Sequence, residues 1–222
     1  MAVTENEVKD ASQLVHELAK GGLATQEMIL NVGPQHPATH GVFRLLATID
    51  GEKLVDADPV IGYMHRGYEK LVEARDYRQI TNLVSRMDWL SNIQNELPLA
   101  LAVEALMEIE VPPRAQYMRV IMCEINRILN HLMFFASFGA ELGAITPTFY
   151  AFREREDLQF AMEGATGGRL HFGFFRPGGL KEDVQKGFIA QVLAGVRQVI
   201  KRLPDYENLL LVNEIFKQRT ID

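Results

Sequence analysis

The strongest constraint on the fold is one long helical segment, AQYMRVIMCEINRILNHLMFFASFGAEL, residues 115–142. Apolar side chains occupy much of its circumference rather than one narrow stripe. Such a helix is stable in water only when other elements surround it, so the segment predicts the central helix of a bundle. Its best apolar run, residues 132–140, is about half of the ~18 residues that a membrane span needs, so we expect membrane association only through partners.

Further helices are predicted on both sides of this segment, because apolar residues recur there at spacings of three and four. The predicted helices cover residues 68–88, 97–109, 153–163 and 184–203, and a last one begins at Pro204. Val111-Pro112-Pro113 is expected to end the second helix, since proline cannot extend a helix and restrains the residue before it. Residues 143–147 are expected to end the long one.

A different pattern precedes residue 62. Residues 28–33, 42–50 and 53–62 are short segments of the kind that form strands. Asp50-Gly51, between the last two, is a strong signal for a tight hairpin turn. The predicted fold class is therefore α+β, with a small N-terminal antiparallel β-sheet packed on an α-helical bundle.

The predicted organisation has three parts. Residues 1–25 are polar and acidic and predict a mobile leader without a signal peptide. Residues 26–62 form the antiparallel β-sheet domain, and residues 63–222 form the helical bundle. The bundle is expected to be incomplete at its C-terminus, because NLLLVNEIFKQRTID ends without a polar tail or a capping glycine.

Charge and cysteine content exclude several classes of function. The net charge of −6 does not favour a nucleic-acid-binding protein, since phosphate neutralisation needs clustered Lys and Arg. Cys123 is the single cysteine, so the chain alone cannot supply a four-cysteine zinc site or an iron–sulfur cluster. We expect no metal site and a reducing compartment.

The segment GPQHPATHG, residues 33–41, contains two histidines four residues apart, His36 and His40. Three interpretations stay open on spacing alone. The pair could be half of a metal site, although zinc needs three or four ligands. It could be a rigid hairpin whose histidines bond to the backbone. It could also be a functional loop that presents a histidine able to transfer a proton near neutral pH.

Two other segments combine charged and aromatic residues. SRMDWL contains Arg86, Asp88 and Trp89, and its plainest interpretation is a surface ion pair beside a core tryptophan. HFGFFRPGG contains His171 and Arg176, and its plainest interpretation is a packed turn that leads into the next helix. Spacing does not choose between these interpretations and functional ones.

Six motifs, taken in order along the chain, carry a resemblance to a known family. They are GPQHPATHG, IGYMHRGYEK, SRMDWL, VPPRAQYMRVIMCEINRILNHL, GAITPTFYAFRERE and GGLKED. They closely resemble the respiratory complex I subunit that is called the 49 kDa subunit in mitochondria and the D subunit in bacteria. The resemblance runs from about Met28 to the end of the chain and covers roughly the N-terminal half of a typical family member.

The resemblance implies a fold like that of the large subunit of nickel–iron hydrogenases, without the metal site. A hydrogenase large subunit holds its metals through Cys-x-x-Cys pairs, and the first pair would fall near SRMDWLSNI, where no cysteine is present. Nickel and low-spin iron cannot be held there without thiolates. The family resemblance implies quinone chemistry in the emptied pocket.

The implied function is that of a peripheral-arm subunit of proton-translocating NADH:quinone oxidoreductase, active only within the complex. Quinone would bind at a subunit interface, and NAD and iron–sulfur clusters would be carried by partner subunits. The implied partners are the subunit with the terminal iron–sulfur cluster and the membrane-arm subunit that completes the quinone channel. The implied location is peripheral, on the cytoplasmic side of the cell membrane.

Site residues follow from the same resemblance. His40 corresponds to the histidine that hydrogen-bonds the quinone headgroup, and Glu141 corresponds to its carboxylate partner, which is usually aspartate. Trp89 stands where the family usually has a tyrosine as second headgroup ligand. An indole N–H donates a hydrogen bond but cannot release a proton as a phenol does. Arg86 and His171 correspond to residues near the partner's terminal cluster, where charge and protonation tune its potential.

Two alternatives remain open at this stage. The chain could be a truncated or split, non-catalytic piece of that subunit. It could also be the equivalent subunit of a related ferredoxin- or F420-linked dehydrogenase, because other chains would carry the electron-input module.

Overall fold

A computed structural model describes residues 26–39 and 41–221 of the chain. The predicted leader, residues 1–25, and His40 lie outside the described residues. The chain divides into two compact units between Arg66 and Gly67. We refer to them as the sheet unit and the helical unit and describe each by itself.

The sheet unit contains the predicted antiparallel sheet, which is thereby confirmed. Its strands are β1 (Glu27–Val32), β2 (Arg44–Asp50) and β3 (Lys53–Val60), in the order β1-β2-β3. Asp50 pairs with Lys53, so the hairpin loop consists of Gly51 and Glu52, and Gly51 has a φ of 63°. The register shifts by one residue between Thr48 and Ile49, which marks a bulge in the hairpin.

The loop between β1 and β2 is held by its own side chains. The hydroxyl of Thr39 donates to the carbonyl of His36 at 2.8 Å, and the N–H of Ala38 donates to His36 Nδ1 at 3.1 Å. Gly33 has a φ of 83°, and a Cβ there would lie 2.0 Å from the carbonyl oxygen of Phe43. Only glycine fits this position. The bond to His36 agrees with the interpretation of the loop as a rigid hairpin whose histidines bond to the backbone.

Within the described part of the chain, the helical unit contains seven α-helices and a small hairpin of two strands with two residues each. They are α1 (Tyr68–Glu73), α2 (Tyr77–Val84), α3 (Asn92–Met107), α4 (Pro113–Glu141), α5 (Thr146–Thr166), β4 (Phe175–Arg176), β5 (Gly179–Leu180), α6 (Phe188–Tyr206) and α7 (Glu214–Thr220). The long helix α4 packs along α5, and α5 packs along α6. Met122, Leu129, Leu158 and Met162 lie buried where α4 and α5 meet. The prediction of a long, central helix is confirmed.

The single helix predicted over residues 68–88 is wrong. The chain forms two helices there, because the side chain of Asp76 accepts a hydrogen bond of 2.9 Å from the N–H of Gln79 and starts α2. The side chain of Gln79 in turn accepts from the N–H of Asp76, so the two residues form a capping box. The apolar spacing continues across this break and conceals it.

Prolines proved to be weaker stops than predicted. Helix α3 ends at Met107, with Glu108 at a φ of 55°, before it reaches the first of the two prolines. Pro113 is instead the first residue of α4, where a missing N–H costs no hydrogen bond. The helix predicted to begin at Pro204 is also wrong, because α6 continues through Pro204 to Tyr206 and a π-helical turn follows, Glu207–Leu211.

Helix α6 is apolar on two adjoining faces. One face packs into the core through residues such as Val192 and Val199. The adjoining face exposes Ile189, Leu193, Ile200 and Leu203, and we call it the α6 stripe. No helix in residues 26–39 or 41–221 combines the length and the apolar character that crossing a membrane requires.

Candidate functional site

The turn between α2 and α3, residues 85–91, is fixed by three asparagine side chains. Asn126 on α4 donates to the carbonyl of Leu90 at 2.8 Å, and Asn130 donates to the hydroxyl of Ser91 at 3.1 Å. Asn95 on α3 donates to the carbonyl of Asp88 at 3.2 Å. Two helices therefore hold this turn, and the side chains of residues 86–89 are exposed.

Arg86 and Trp89 extend from the fixed turn. Arg86 donates to the carbonyl of Asn82 at 2.9 Å and to the hydroxyl of Ser85 at 3.2 Å. The carboxylate of Asp88 accepts from the N–H of Leu90 at 3.0 Å. Trp89 is 40% exposed, so it is not the core tryptophan of the plain interpretation.

A second segment, residues 171–180, is anchored to α3 by a buried carboxylate. Glu96 is fully buried and accepts hydrogen bonds from three successive N–H groups, those of Gly173, Phe174 and Phe175, at 2.8, 2.9 and 3.0 Å. Burial raises the pKa of the Glu96 carboxyl, and the three N–H donors oppose that rise. A buried carboxylate thus fixes three consecutive peptide groups.

The far end of the same segment is held by a buried ion pair. Glu104 on α3 and Arg119 on α4 are joined by two bonds, of 2.5 and 3.0 Å. Arg119 also donates to the carbonyls of Arg176 at 2.8 Å and Gly179 at 2.9 Å, and Glu104 accepts from the N–H of Gly178 at 2.8 Å. The hydrogen bond from Arg119 lowers the pKa of the Glu104 carboxyl. The β4–β5 hairpin is therefore set by partners on two helices.

These two anchored segments bring Arg86 near enough to His171 for the charge of the guanidinium to act on the imidazole. The pKa of His171 lies below its ordinary value, first because the ring is partly shielded from solvent and second because of the charge of Arg86. Asn82 joins the two segments, since its carbonyl accepts from Arg86 and its side chain lies against Gly173. A Cβ at Gly173 would lie 2.9 Å from Asn82 Oδ1, so only glycine fits without a shift.

An open cavity of about 380 Å³ lies beside this pair. Its lining residues are Asp76, Arg78, Gln79, Asn82 and Arg176. Asn82 thus contacts Arg86 on one side and the cavity on the other. The Arg86–His171 pair lies at an accessible edge of the helical unit rather than in its core.

Glu141 is the last residue of α4, and its side chain is exposed. Asn130, which contacts the turn that carries Trp89, lies on the same helix, and the helix rises by about 16 Å between Asn130 and Glu141. His40 lies outside the described residues, so its distances to Trp89 and Glu141 are not described. The assignment of His40, Trp89 and Glu141 to a quinone site stays a prediction.

Metal ligation has no geometric basis in the described residues. Within residues 26–39 and 41–221, no three His, Cys, Asp or Glu side chains converge as a metal site would require. Cys123 is buried, and burial raises the pKa of its thiol to about 11. A thiol of that kind is protonated at neutral pH and is not a thiolate ligand.

The buried residues Glu96, Glu104 and Arg119 were not predicted as site residues. The signal in the sequence was the presence of two carboxylates eight residues apart, on either side of the apolar stretch of residues 97–103. Charged residues are rarely buried unless they are paired. Such residues in an apolar helix indicate buried partners without saying which they are.

Comparison with known proteins shows what this chain is similar to. The family model described as respiratory-chain NADH dehydrogenase, 49 Kd subunit, matches residues 141–222. The chain is therefore related to respiratory-chain NADH dehydrogenases, and the resemblance indicated by its motifs is confirmed.

The individual relatives are named as D subunits of NADH-quinone oxidoreductase. The chain is 57% identical over 195 residues to the NADH-quinone oxidoreductase D subunit numbered 2 of Salinispora tropica, and the match covers 88% of the chain and 50% of the relative. It is 56% identical over 202 residues to the equally named D subunit of Streptomyces griseus subsp. griseus, covering 91% and 51%. It is 49% identical over 197 residues to the D subunit of Geobacillus kaustophilus, covering 89% and 54%. The chain spans about half the length of the curated relatives it matches.

Proposed function

We propose that this chain acts within an NADH:quinone oxidoreductase as a peripheral-arm subunit of the D type. It contributes to the quinone-reduction cavity next to the terminal iron–sulfur cluster of a partner subunit. The observation that supports this most is that Arg86 acts electrostatically on His171 at an accessible edge, on two segments anchored by buried side chains. Relatives 46–57% identical are named as D subunits of NADH-quinone oxidoreductase.

The chemistry of the pair suits a neighbouring redox centre. Reduction of a cluster adds negative charge, and the permanent charge of Arg86 stabilises the reduced state and raises the potential. The pKa of His171 is held below its ordinary value, so the ring is neutral while the cluster is oxidised at neutral pH. The added electron raises the proton affinity of His171, which couples reduction to proton uptake.

The test replaces His171 in the assembled complex. His171→Met lowers the midpoint potential of the terminal cluster and removes its pH dependence, as measured by redox titration with EPR detection. His131→Met is the matched control, because His131 is an exposed histidine on α4, and it leaves the potential unchanged. A pH slope that survives His171→Met rules out the proposed role.

The quinone site is assigned to His40, Trp89 and Glu141. His40 donates a proton or a hydrogen bond to a quinone carbonyl oxygen, which stabilises the negative charge that develops during reduction. Glu141 raises the proton affinity of that histidine. The exposure of Trp89 supports this assignment, because its indole N–H is available as the second donor.

The corresponding experiment measures quinone reductase activity in the assembled complex. His40→Ala abolishes turnover, and Trp89→Tyr keeps it or increases it, since a phenol supplies both a hydrogen bond and a proton. Trp89→Phe is the control that removes the donor and keeps an aromatic ring. Activity that is indifferent to His40→Ala contradicts the assignment of His40.

The chain needs two partners: the subunit that carries the terminal cluster and the membrane-arm subunit that completes the quinone channel. The complex holds it at the cytoplasmic face of the membrane.

The exposed apolar α6 stripe supports contact with further polypeptide, because exposed apolar patches mark interaction sites. Leu193→Lys with Ile200→Lys reduces co-purification of the partners, whereas Ala190→Lys with Ala194→Lys, on the same helix beside the stripe, does not. Equal recovery would contradict contact at the stripe.

The truncated or split, non-catalytic piece of the subunit, which the sequence left open, stays an alternative prediction. The chain spans about half the length of the curated relatives it matches. An adjacent reading frame that encodes the other half, and whose product co-purifies with this chain, supports a split subunit. Retained activity of the complex after His40→Ala and His171→Met separates a structural piece from a catalytic one. The proposal of a D-type subunit also includes a fold like that of the hydrogenase large subunit, without its metal site.

A further inference from the structure

Glu96 accepts hydrogen bonds from every backbone N–H group in one stretch of three residues. Its two carboxylate oxygens accept from the N–H groups of Gly173, Phe174 and Phe175, and its side chain is fully buried. Gly173 and Phe174 precede the short strand β4, so within the described residues no paired strand holds their N–H groups. The carboxylate supplies at this point the acceptors that a neighbouring strand would supply elsewhere.

Fixing Gly173 also fixes His171, two residues earlier. Two residues of extended chain span at most about 7 Å, so an anchored Gly173 restricts where the imidazole can lie. Gly173 also lies against Asn82, whose carbonyl accepts from Arg86. The same anchor therefore restricts the distance between His171 and the charge of Arg86.

We propose that Glu96 is a positioning residue for His171: by anchoring the backbone of residues 173–175, it holds the imidazole at the edge where Asn82 binds Arg86. The charged and titratable groups that act on Glu96 are Arg176 on β4 and Cys123 on α4. The charged group that acts on His171 is Arg86, at the end of α2. Only the consequence for a redox partner rests on the proposed function; the positioning itself does not.

The sign of the effect separates positioning from charge. Loss of the anchor lets His171 move away from Arg86, and the weaker repulsion by that charge raises the pKa of the imidazole towards its ordinary value of about 6.5. Loss of a nearby negative charge alone would act in the opposite direction, because a carboxylate stabilises the imidazolium form. An upward shift therefore reports position, and a downward shift reports charge.

The experiment titrates the histidines of the full 222-residue chain by NMR with ¹³C-labelled imidazoles. His171→Gln assigns the resonance. Glu96→Gln keeps the side-chain length, and Glu96→Asp keeps the charge but is one methylene too short to reach all three N–H groups. Both variants shift the His171 midpoint upward, whereas the exposed control Glu124→Gln leaves it unchanged. An unchanged midpoint, or a downward shift, in a folded variant overturns the proposal.

A redox measurement then distinguishes failure of this inference from failure of the proposed function. In the assembled complex, the pH at which the cluster potential changes slope moves upward in the Glu96 variants together with the NMR midpoint. If the NMR midpoint moves and the potential does not respond, the positioning role stands and the link to the cluster fails. Circular dichroism confirms which Glu96 variant is folded, and either of the two is sufficient for the test.

Discussion

Arg119 on α4 and Glu104 on α3 form an ion pair inside the helical unit, with 2.5 Å between Nη2 and Oε1. Their side chains are only 4% and 6% exposed. The pair also binds backbone groups of the β4–β5 hairpin. Because every charge in this cluster has a partner, removal of one member leaves the other buried and uncompensated.

Glu104→Gln is therefore strongly destabilising. Loss of one partner from a buried pair costs about 3–5 kcal/mol in the free energy of unfolding, mostly through the charge left behind. Urea unfolding followed by circular dichroism measures the change. Asp183→Asn is the matched control, because Asp183 and Arg114 form an exposed pair, and we expect it to leave the midpoint unchanged. Equal effects of the two substitutions would contradict the buried pair.

Acid removes the contribution of Glu104 in a defined direction. Its pKa in the folded chain is lowered, chiefly by the hydrogen bond from Arg119, so the unfolded chain binds its proton more readily. The stabilisation is complete above the ordinary carboxyl pKa of about 4.3 and is lost as the pH falls through the lower, folded value. Unfolding curves at pH 7 and at successively lower pH show the stability gap between the parent and Glu104→Gln narrowing. A gap that widens on acidification would contradict this sign.

Cys123, the single cysteine, reports on the opening of the core. Its side chain is buried on α4, and burial raises the pKa of the thiol to about 11. Since the thiolate is the reactive form, a disulfide reagent at pH 8 labels the native chain slowly and the urea-unfolded chain at once. Glu104→Gln accelerates native labelling, because a less stable chain opens more often. Labelling of the native parent as fast as that of the unfolded chain would refute the burial.

The elements that could be predicted from the sequence are those that local pattern determines. The 29-residue helix α4 is apolar around much of its circumference, and Asp50-Gly51 predicted the β2–β3 hairpin, although the loop itself is Gly51 and Glu52. The break between α1 and α2 was missed because the apolar spacing continues while the capping side chain of Asp76 decides the geometry. Local chemistry at one residue outweighed a regional pattern.

The anchoring residues could not be identified from the sequence, because their partners are remote. Glu96 binds Gly173, which is 77 residues away, and Glu104 binds the N–H of Gly178, which is 74 residues away. A carboxylate in an apolar helix shows that a buried partner is needed, yet the partners are backbone groups with no sequence signature. The motif resemblance predicted Arg86 and His171 as site residues but not the side chains that anchor their two segments.

The turn that carries Trp89 offers the last prediction, since Trp89 is the single tryptophan and its fluorescence reports this turn alone. The amide of Asn126 is buried and donates to the carbonyl of Leu90, so Asn126→Ala leaves that carbonyl without its donor and costs about 1–3 kcal/mol. We expect faster motion of the indole, seen as lower steady-state anisotropy at unchanged helix content. Asn208→Ala is the control, because Asn208 is exposed in the π-helical turn far along the chain. Unchanged anisotropy in Asn126→Ala would mean that α4 does not hold the turn.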